Sequence, residues 1–179
     1  MNWTGSRLSH DSLSLNGTPS ETRQVLCLGC HSDDIEIGCG GTILRLAMEH
    51  PDWVFHWVVF SAIGPRAAEA RKAAARFLDP SRLRGPVLHS FQDGFMPFVG
   101  AEIKAAFEAL KKTVSPDLIF THNRNDAHQD HRLIAELTWD TLDLAVCHQR
   151  PNTRAICRAV NLYRSNTSHG CDCTGGGRE

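Results

Sequence analysis

The chain has 179 residues, a formal net charge of −1 and a hydrophobic fraction of 41%, which suits one domain with a single core. The balanced charge offers no basic field for nucleic acid and no block suited to an interaction tail, so a small substrate fits better than a polyanion. Arg45, Glu49 and His56 interrupt the apolar runs before any reaches the length of a membrane span.

Met1 to Gln24 is rich in Ser, Thr, Gly and Asn and lacks the apolar core of a signal peptide. It reads as a disordered leader, residues 1–22, with the folded domain beginning at residue 23. The seven cysteines are odd in number, and Cys27, Cys30 and Cys39 fall in or beside core segments, where a reduced cysteine acts as a small hydrophobe. A cytoplasmic location follows as the expectation.

The run Val25–Gly29 is short and apolar, as in a strand buried on both faces. A polar segment, His31-Ser32-Asp33-Asp34, and three glycines precede a helical pattern over Thr42–Met48, which Pro51 ends. Trp53–Phe60 is aromatic and β-branched and predicts a second strand, with Trp53, Phe55 and Trp57 in the core. Arg66–Leu78 is alanine-rich and helical. Pro86–Phe91 predicts a third strand leading into Gln92-Asp93-Gly94-Phe95, and Glu102–Lys112 a helix with Ile103, Phe107 and Leu110 on one face. Asp117–Thr121 predicts a fourth strand, followed by the polar loop His122–His131 and a helix carrying Leu133, Ile134, Leu137 and Leu144.

The alternation of strands and helices predicts a Rossmann-like three-layer α/β fold with a mostly parallel sheet. In such sheets ligands gather beyond the carboxyl ends of the strands, where the polar loops after strands one, three and four would share a crevice. The α/β domain is expected over residues 23–146. Residues 147–179 lack sustained periodicity and are expected to be poorly ordered, adding nothing to the sheet.

His31, Asp34 and His131 supply two imidazoles and a carboxylate, the donor set of a catalytic zinc (Zn2+) with an open position; the same set also suits Fe2+. Asp33, next to a ligand, could take a proton from water. His128, one helical turn before His131, could donate to a developing oxyanion or leaving nitrogen. The plainer readings are a polar turn with a carboxylate cap for the first segment and solvated loop histidines for the second. Gly38-Cys39-Gly40-Gly41 is too irregular for a dinucleotide fingerprint, and Cys171-x-Cys173 is a weak metal signal.

His31-Ser32-Asp33-Asp34-Ile35-Glu36 followed by Gly40-Gly41-Thr42 resembles the His-Pro-Asp-Asp-Glu signature of the PIG-L/LmbE-like N-acetylglucosaminyl deacetylases. Asp126-Ala127-His128-Gln129-Asp130-His131 resembles that family's Asp-x-His-Pro-Asp-His motif, and Arg66-Ala67-Ala68-Glu69 and Gln92-Asp93-Gly94 fall where it has Arg-x-x-Glu and Asp-Gly. The resemblance covers roughly residues 23–144. It implies a metal-dependent hydrolase that removes an N-acetyl or N-acyl group from an amino sugar or glycoconjugate. His31, Asp34 and His131 would hold the metal, with Asp33 as general base and His128 as acid or electrophile oriented by Asp130. Arg66 and Asp93 would approach sugar hydroxyls, against plainer roles as the Glu69 ion-pair partner and a turn residue. Ser32 and Gln129 stand where the family usually has proline, and Ile35 replaces an acid. Family-like sequence stops near Asp143, as in a truncated or frame-shifted relative. An inactive metal-binding relic and a nucleotide-binding α/β module are the rival readings.

Overall fold

The computed structural model describes residues 23–142 and the strand at 156–159; the expected leader and most of the expected tail lie outside the described residues. Strand β1 (Gln24–His31) leads into helix α1 (Asp34–Glu49), β2 (Val54–Ser61), α2 (Pro65–Phe77) and β3 (Leu83–Leu88). A short 3-10 turn, Met96–Val99, precedes α3 (Gly100–Thr113), β4 (Leu118–Thr121), α4 (Gln129–Thr141) and β5 (Ile156–Ala159). The strands lie in the order β3-β2-β1-β4-β5 and every pairing is parallel.

Alternation along the strands divides the core into two layers, because successive side chains point to opposite faces. Val25, Cys27, Phe55, Trp57 and Phe120 pack beneath α1 and α2 with Ile43 and Ala70. Leu26, Leu28, Phe60 and Ile119 pack beneath α3 and α4 with Ile103, Phe107 and Ile134. A strand covered on both sides reads as a continuous apolar run, which is how β1 reads. Cys27, Cys30 and Cys39 are free and buried, as expected.

Three departures from the sequence expectations have physical causes. Helix α1 begins at Asp34, so the glycine segment is helical and forms no phosphate-cradling loop. Gly40 is needed for close packing there, since a Cβ would stand 2.6 Å from the Phe77 ring. At its other end the Arg82 guanidinium donates to the carbonyls of Ala47 and His50, both at 2.7 Å, supplying partners to the end of the helix. Strand β3 begins at Leu83 rather than Pro86. Gly85, at φ 111°, lies where a Cβ would meet the Trp57 carbonyl at 2.8 Å, and a register shift between His56 and Val58 absorbs the irregularity.

The third departure corrects the reading of the tail. Ile156–Ala159 pairs with β4 from Leu118↔Ile156 to Thr121↔Ala159, so this segment does extend the sheet. Four residues are too few to show a period, and the pairing partner is distant in sequence.

The packing of α1 makes the first test. Gly41 has nothing within 4 Å of an added Cβ, so Gly41→Ala is expected to stabilise by about 0.4–1 kcal/mol. Gly40→Ala must displace the Phe77 ring and is expected to lose that gain and about 1–3 kcal/mol more. Urea unfolding of both variants checks this; equal stabilisation would contradict the packing described.

Candidate metal centre

The chain runs from β1 to β2 and β3 on one side, then crosses to β4 on the other. The strand order therefore reverses at β1, and a crevice opens beyond the carboxyl ends of β1 and β4. His31 is the last residue of β1, and Asp33 and Asp34 open α1. His122 follows β4, while His128 caps α4 and His131 sits in its first turn.

Three donor atoms converge there. His31 Nδ1 lies 3.1 Å from His131 Nε2 and 3.5 Å from Asp34 Oδ2, and His131 Nε2 lies 3.4 Å from Asp34 Oδ2. Ligands bound about 2.0–2.2 Å from a tetrahedral ion are separated by roughly 3.3–3.6 Å. The triangle fits a metal of that size. Each imidazole also has a carboxylate behind it. His31 Nε2 is 2.9 Å from Asp93 Oδ1, and His131 Nδ1 is 3.3 Å from Asp126 Oδ2. This negative charge favours the proton on the outer nitrogen and the lone pair inward, as in metal-ligating histidines, through charge rather than a hydrogen bond, since His131 Nδ1 has no hydrogen-bond partner among the described residues. Asp34 is fixed by a 2.7 Å hydrogen bond from the His31 backbone N–H.

Electrostatics agree with this assignment. Burial alone would raise the Asp34 carboxyl, but the neighbouring His122 and His31 imidazoles and the His31 backbone N–H hold it well below the usual carboxylate range. Burial would lower His31, yet Asp34, Asp93 and Asp130 together raise it; the carboxylates that attract that proton equally attract a metal cation. His131 is lowered, by burial and by His122, which keeps its ring neutral and fit for ligation. Cys30 Sγ lies among the same donor atoms. Burial and the surrounding carboxylates push its thiol strongly up, and it donates to Met96 Sδ at 3.3 Å.

The remaining expected residues divide. Asp33 is exposed at the start of α1 and makes no capping hydrogen bond, so the plain reading as a carboxylate cap does not hold. His128 Nδ1 accepts the Asp130 backbone N–H at 3.2 Å, which leaves the neutral ring's proton on Nε2. Asp130 thus contacts His128 through its backbone N–H, not its side chain. The fully buried Asp130 carboxylate instead accepts the Gly94 N–H at 2.6 Å, and the Gln129 side-chain amide donates to the Gly94 carbonyl. Together they clamp the loop that brings Asp93 to His31. Arg66 Nη1 stands 3.8 Å from Asp93 Oδ2, its one ion-pair partner among the described residues, in place of Glu69.

Sequence reasoning missed His122 and Asp126 as site residues. His122 Nε2 accepts the Cys30 N–H at 2.9 Å, stacks on the His131 ring at a centroid distance of 4.0 Å, and lies 3.3 Å from Asp34. Asp126 accepts the His128 N–H at 2.8 Å. The available signal was position: a polar residue at the carboxyl end of a parallel strand faces the crevice.

The fold and site define a three-layer α/β protein with a two-histidine, one-carboxylate centre at its topological switch point. The family profile of PIG-L, the GlcNAc-PI de-N-acetylases, matches residues 26–142, and the chain belongs to that family. Among solved structures it is similar to the N,N'-diacetylchitobiose deacetylase of Pyrococcus horikoshii, with 24% identity, a TM-score of 0.53, and coverage of 75% of this chain and 53% of that one. A conserved protein of Thermus thermophilus gives 23% identity, a TM-score of 0.52 and coverage of 76% and 63%. A deacetylase involved in the teicoplanin biosynthetic pathway gives 16%, a TM-score of 0.56 and coverage of 78% and 64%. These likenesses concern the fold, and the chain spans less than two thirds of the length of each. No curated protein matches the chain significantly.

Removing the backing carboxylates tests the centre. Asp93→Asn and Asp126→Asn are each expected to weaken zinc binding by about 10- to 100-fold without unfolding the protein. Zinc titration against a competing chelator measures this, and unchanged affinity in both variants would contradict the assigned orientation of the imidazoles.

Proposed function

We propose that the chain is a metal-dependent N-deacetylase that hydrolyses the N-acetyl or N-acyl amide of an amino sugar or its glycoconjugate. The observation that carries this reading is the convergence of His31, Asp34 and His131, with the adjacent Asp33 carboxylate in no side-chain hydrogen bond or ion pair among the described residues. His31 Nδ1, Asp34 Oδ2 and His131 Nε2 would hold zinc, or iron, which share this donor set. The bound ion supplies Lewis acidity, polarising an amide carbonyl and making water acidic near neutral pH.

The chain's own groups account for the proton movements. Asp33, exposed and uncapped, accepts the proton of the attacking water as general base. His128 presents Nε2–H, because its Nδ1 lone pair is occupied by the Asp130 N–H. It therefore stabilises the negative charge that develops on the carbonyl oxygen as the tetrahedral species forms. Arg66 and Asp93, both about half exposed beside the centre, offer a cation and an acceptor to sugar hydroxyls. Family membership supports the reaction class. No described helix is long and apolar enough to cross a membrane, and we assign the enzyme a small-molecule substrate and a cytoplasmic location.

Asp33→Asn separates binding from chemistry. The variant is expected to retain its metal while kcat falls by about 10²- to 10⁴-fold, because an amide oxygen is a poor base at neutral pH. Release of primary amine from N-acetylglucosamine measures the rate and elemental analysis the metal. A near-normal rate in the variant would remove Asp33 from the base role.

A further inference from the structure

Beside the metal centre, two large aromatic side chains are left in solvent. Phe95 is 51% exposed and Phe98 is 78% exposed, and their ring centroids lie 6.1 Å apart at an interplanar angle of 52°. Residues three apart eclipse one another in a 3-10 turn, so the two rings share one face of the Met96–Val99 segment.

Three anchors fix this pair at the rim of the site. Asp93 Oδ1 reaches His31 Nε2 at 2.9 Å. Gly94, at φ 78°, is held by Asp130 and Gln129. Met96, fully buried, meets Cys30 Sγ at 3.3 Å, and that sulfur is 3.7 Å from His31 Nε2. Phe95 thus lies between Asp93, which reaches His31, and Met96, which meets Cys30 beside it, and Phe98 stands on the same short turn. With Met96 turned inward, Phe95 and Phe98 stay exposed on the segment that follows Asp93. Exposed apolar surface at the edge of a polar site marks a place where a ligand is bound.

We propose that Phe95 and Phe98 form a subsite for a second sugar ring, linked to the N-acylated one, through the ring's apolar C–H face. This inference rests on the amino-sugar deacetylase reading. A pyranose has one face of C–H groups and a rim of hydroxyls; the aromatic pair suits the former, and Arg66 and Asp93 the latter. From Gln92 to Ile103 the only charged residues are Asp93 and Glu102, and Arg66 beside them faces Asp93, a single cation where attraction to an anionic lipid surface takes a basic cluster.

The test compares N,N'-diacetylchitobiose with N-acetylglucosamine. In Phe95→Ala and Phe98→Ala, kcat/KM for the disaccharide is expected to fall roughly tenfold more than for the monosaccharide, mainly through KM. Phe98→Trp should restore it. Saturation-transfer NMR gives a readout independent of turnover: the purified wild type should pass magnetisation from aromatic protons to the second ring, and both alanine variants should lose the transfer. Deacetylation with equal effects on the two substrates, and no lost transfer, would overturn the subsite while leaving the proposed function standing. Transfer lost in the variants, with no amine released by the wild type, would do the reverse. Loss of binding to phosphatidylserine vesicles, with no change in disaccharide KM, would reassign the pair to a lipid surface and overturn the proposal.

Discussion

Three lone pairs within 3.1–3.5 Å of one another repel unless a positive charge lies between them. Protons can supply that charge, and so can a metal. Here the carboxylates of Asp93 and Asp126 stand on the outer nitrogens of His31 and His131, drawing the imidazole protons away from the centre. The arrangement is costly for an empty polar pocket and favourable for a bound cation. Much of the polar structure around the crevice serves to keep this geometry. The Cys30 N–H fixes His122, the His31 N–H fixes Asp34, and Asp130 with Gln129 fixes the Asp93 loop.

The fold positions those groups by topology. β1 lies in the middle of the sheet, buried on both faces, so His31 at its end is carried by the most constrained strand. Because β4 pairs directly with β1, the loop carrying His122, Asp126, His128 and His131 is brought across from the far end of the described chain. The helices then contribute their first turns: α1 begins with Asp34 and α4 with His131 one turn inside it. Rigid elements therefore hold all three donors, while Asp33 and His128 stand at the helix starts. That division suits the proposed centre, which would keep a metal in place and move protons.

Much of this was legible in the sequence, because motif and periodicity are local. The apolar run of β1, the alanine-rich α2, and the His-x-x-Asp and His-x-x-His spacings announced the fold class and the three donors. What escaped was long-range. β5 is four residues long and is defined by pairing with β4, which no window of its own residues reveals. Asp93 was legible as a turn or sugar contact, but its bond to His31 crosses 62 positions. The glycines of α1 fell ahead of the helical pattern predicted from Thr42, since the reason for Gly40 is the Phe77 ring on another helix. His122 and Asp126 lay in a stretch already marked as polar, and only strand order shows which of its side chains face the ligands.

Everything proposed for the crevice depends on whether the three donors hold a metal. The direct measurement is the metal content of the purified protein and of His31→Ala, Asp34→Ala and His131→Ala, by elemental analysis. The structure predicts close to one zinc or iron per wild-type chain and a sharp loss in each variant. Metal content equal in all four proteins, or absent from a folded wild type supplied with zinc, would contradict it.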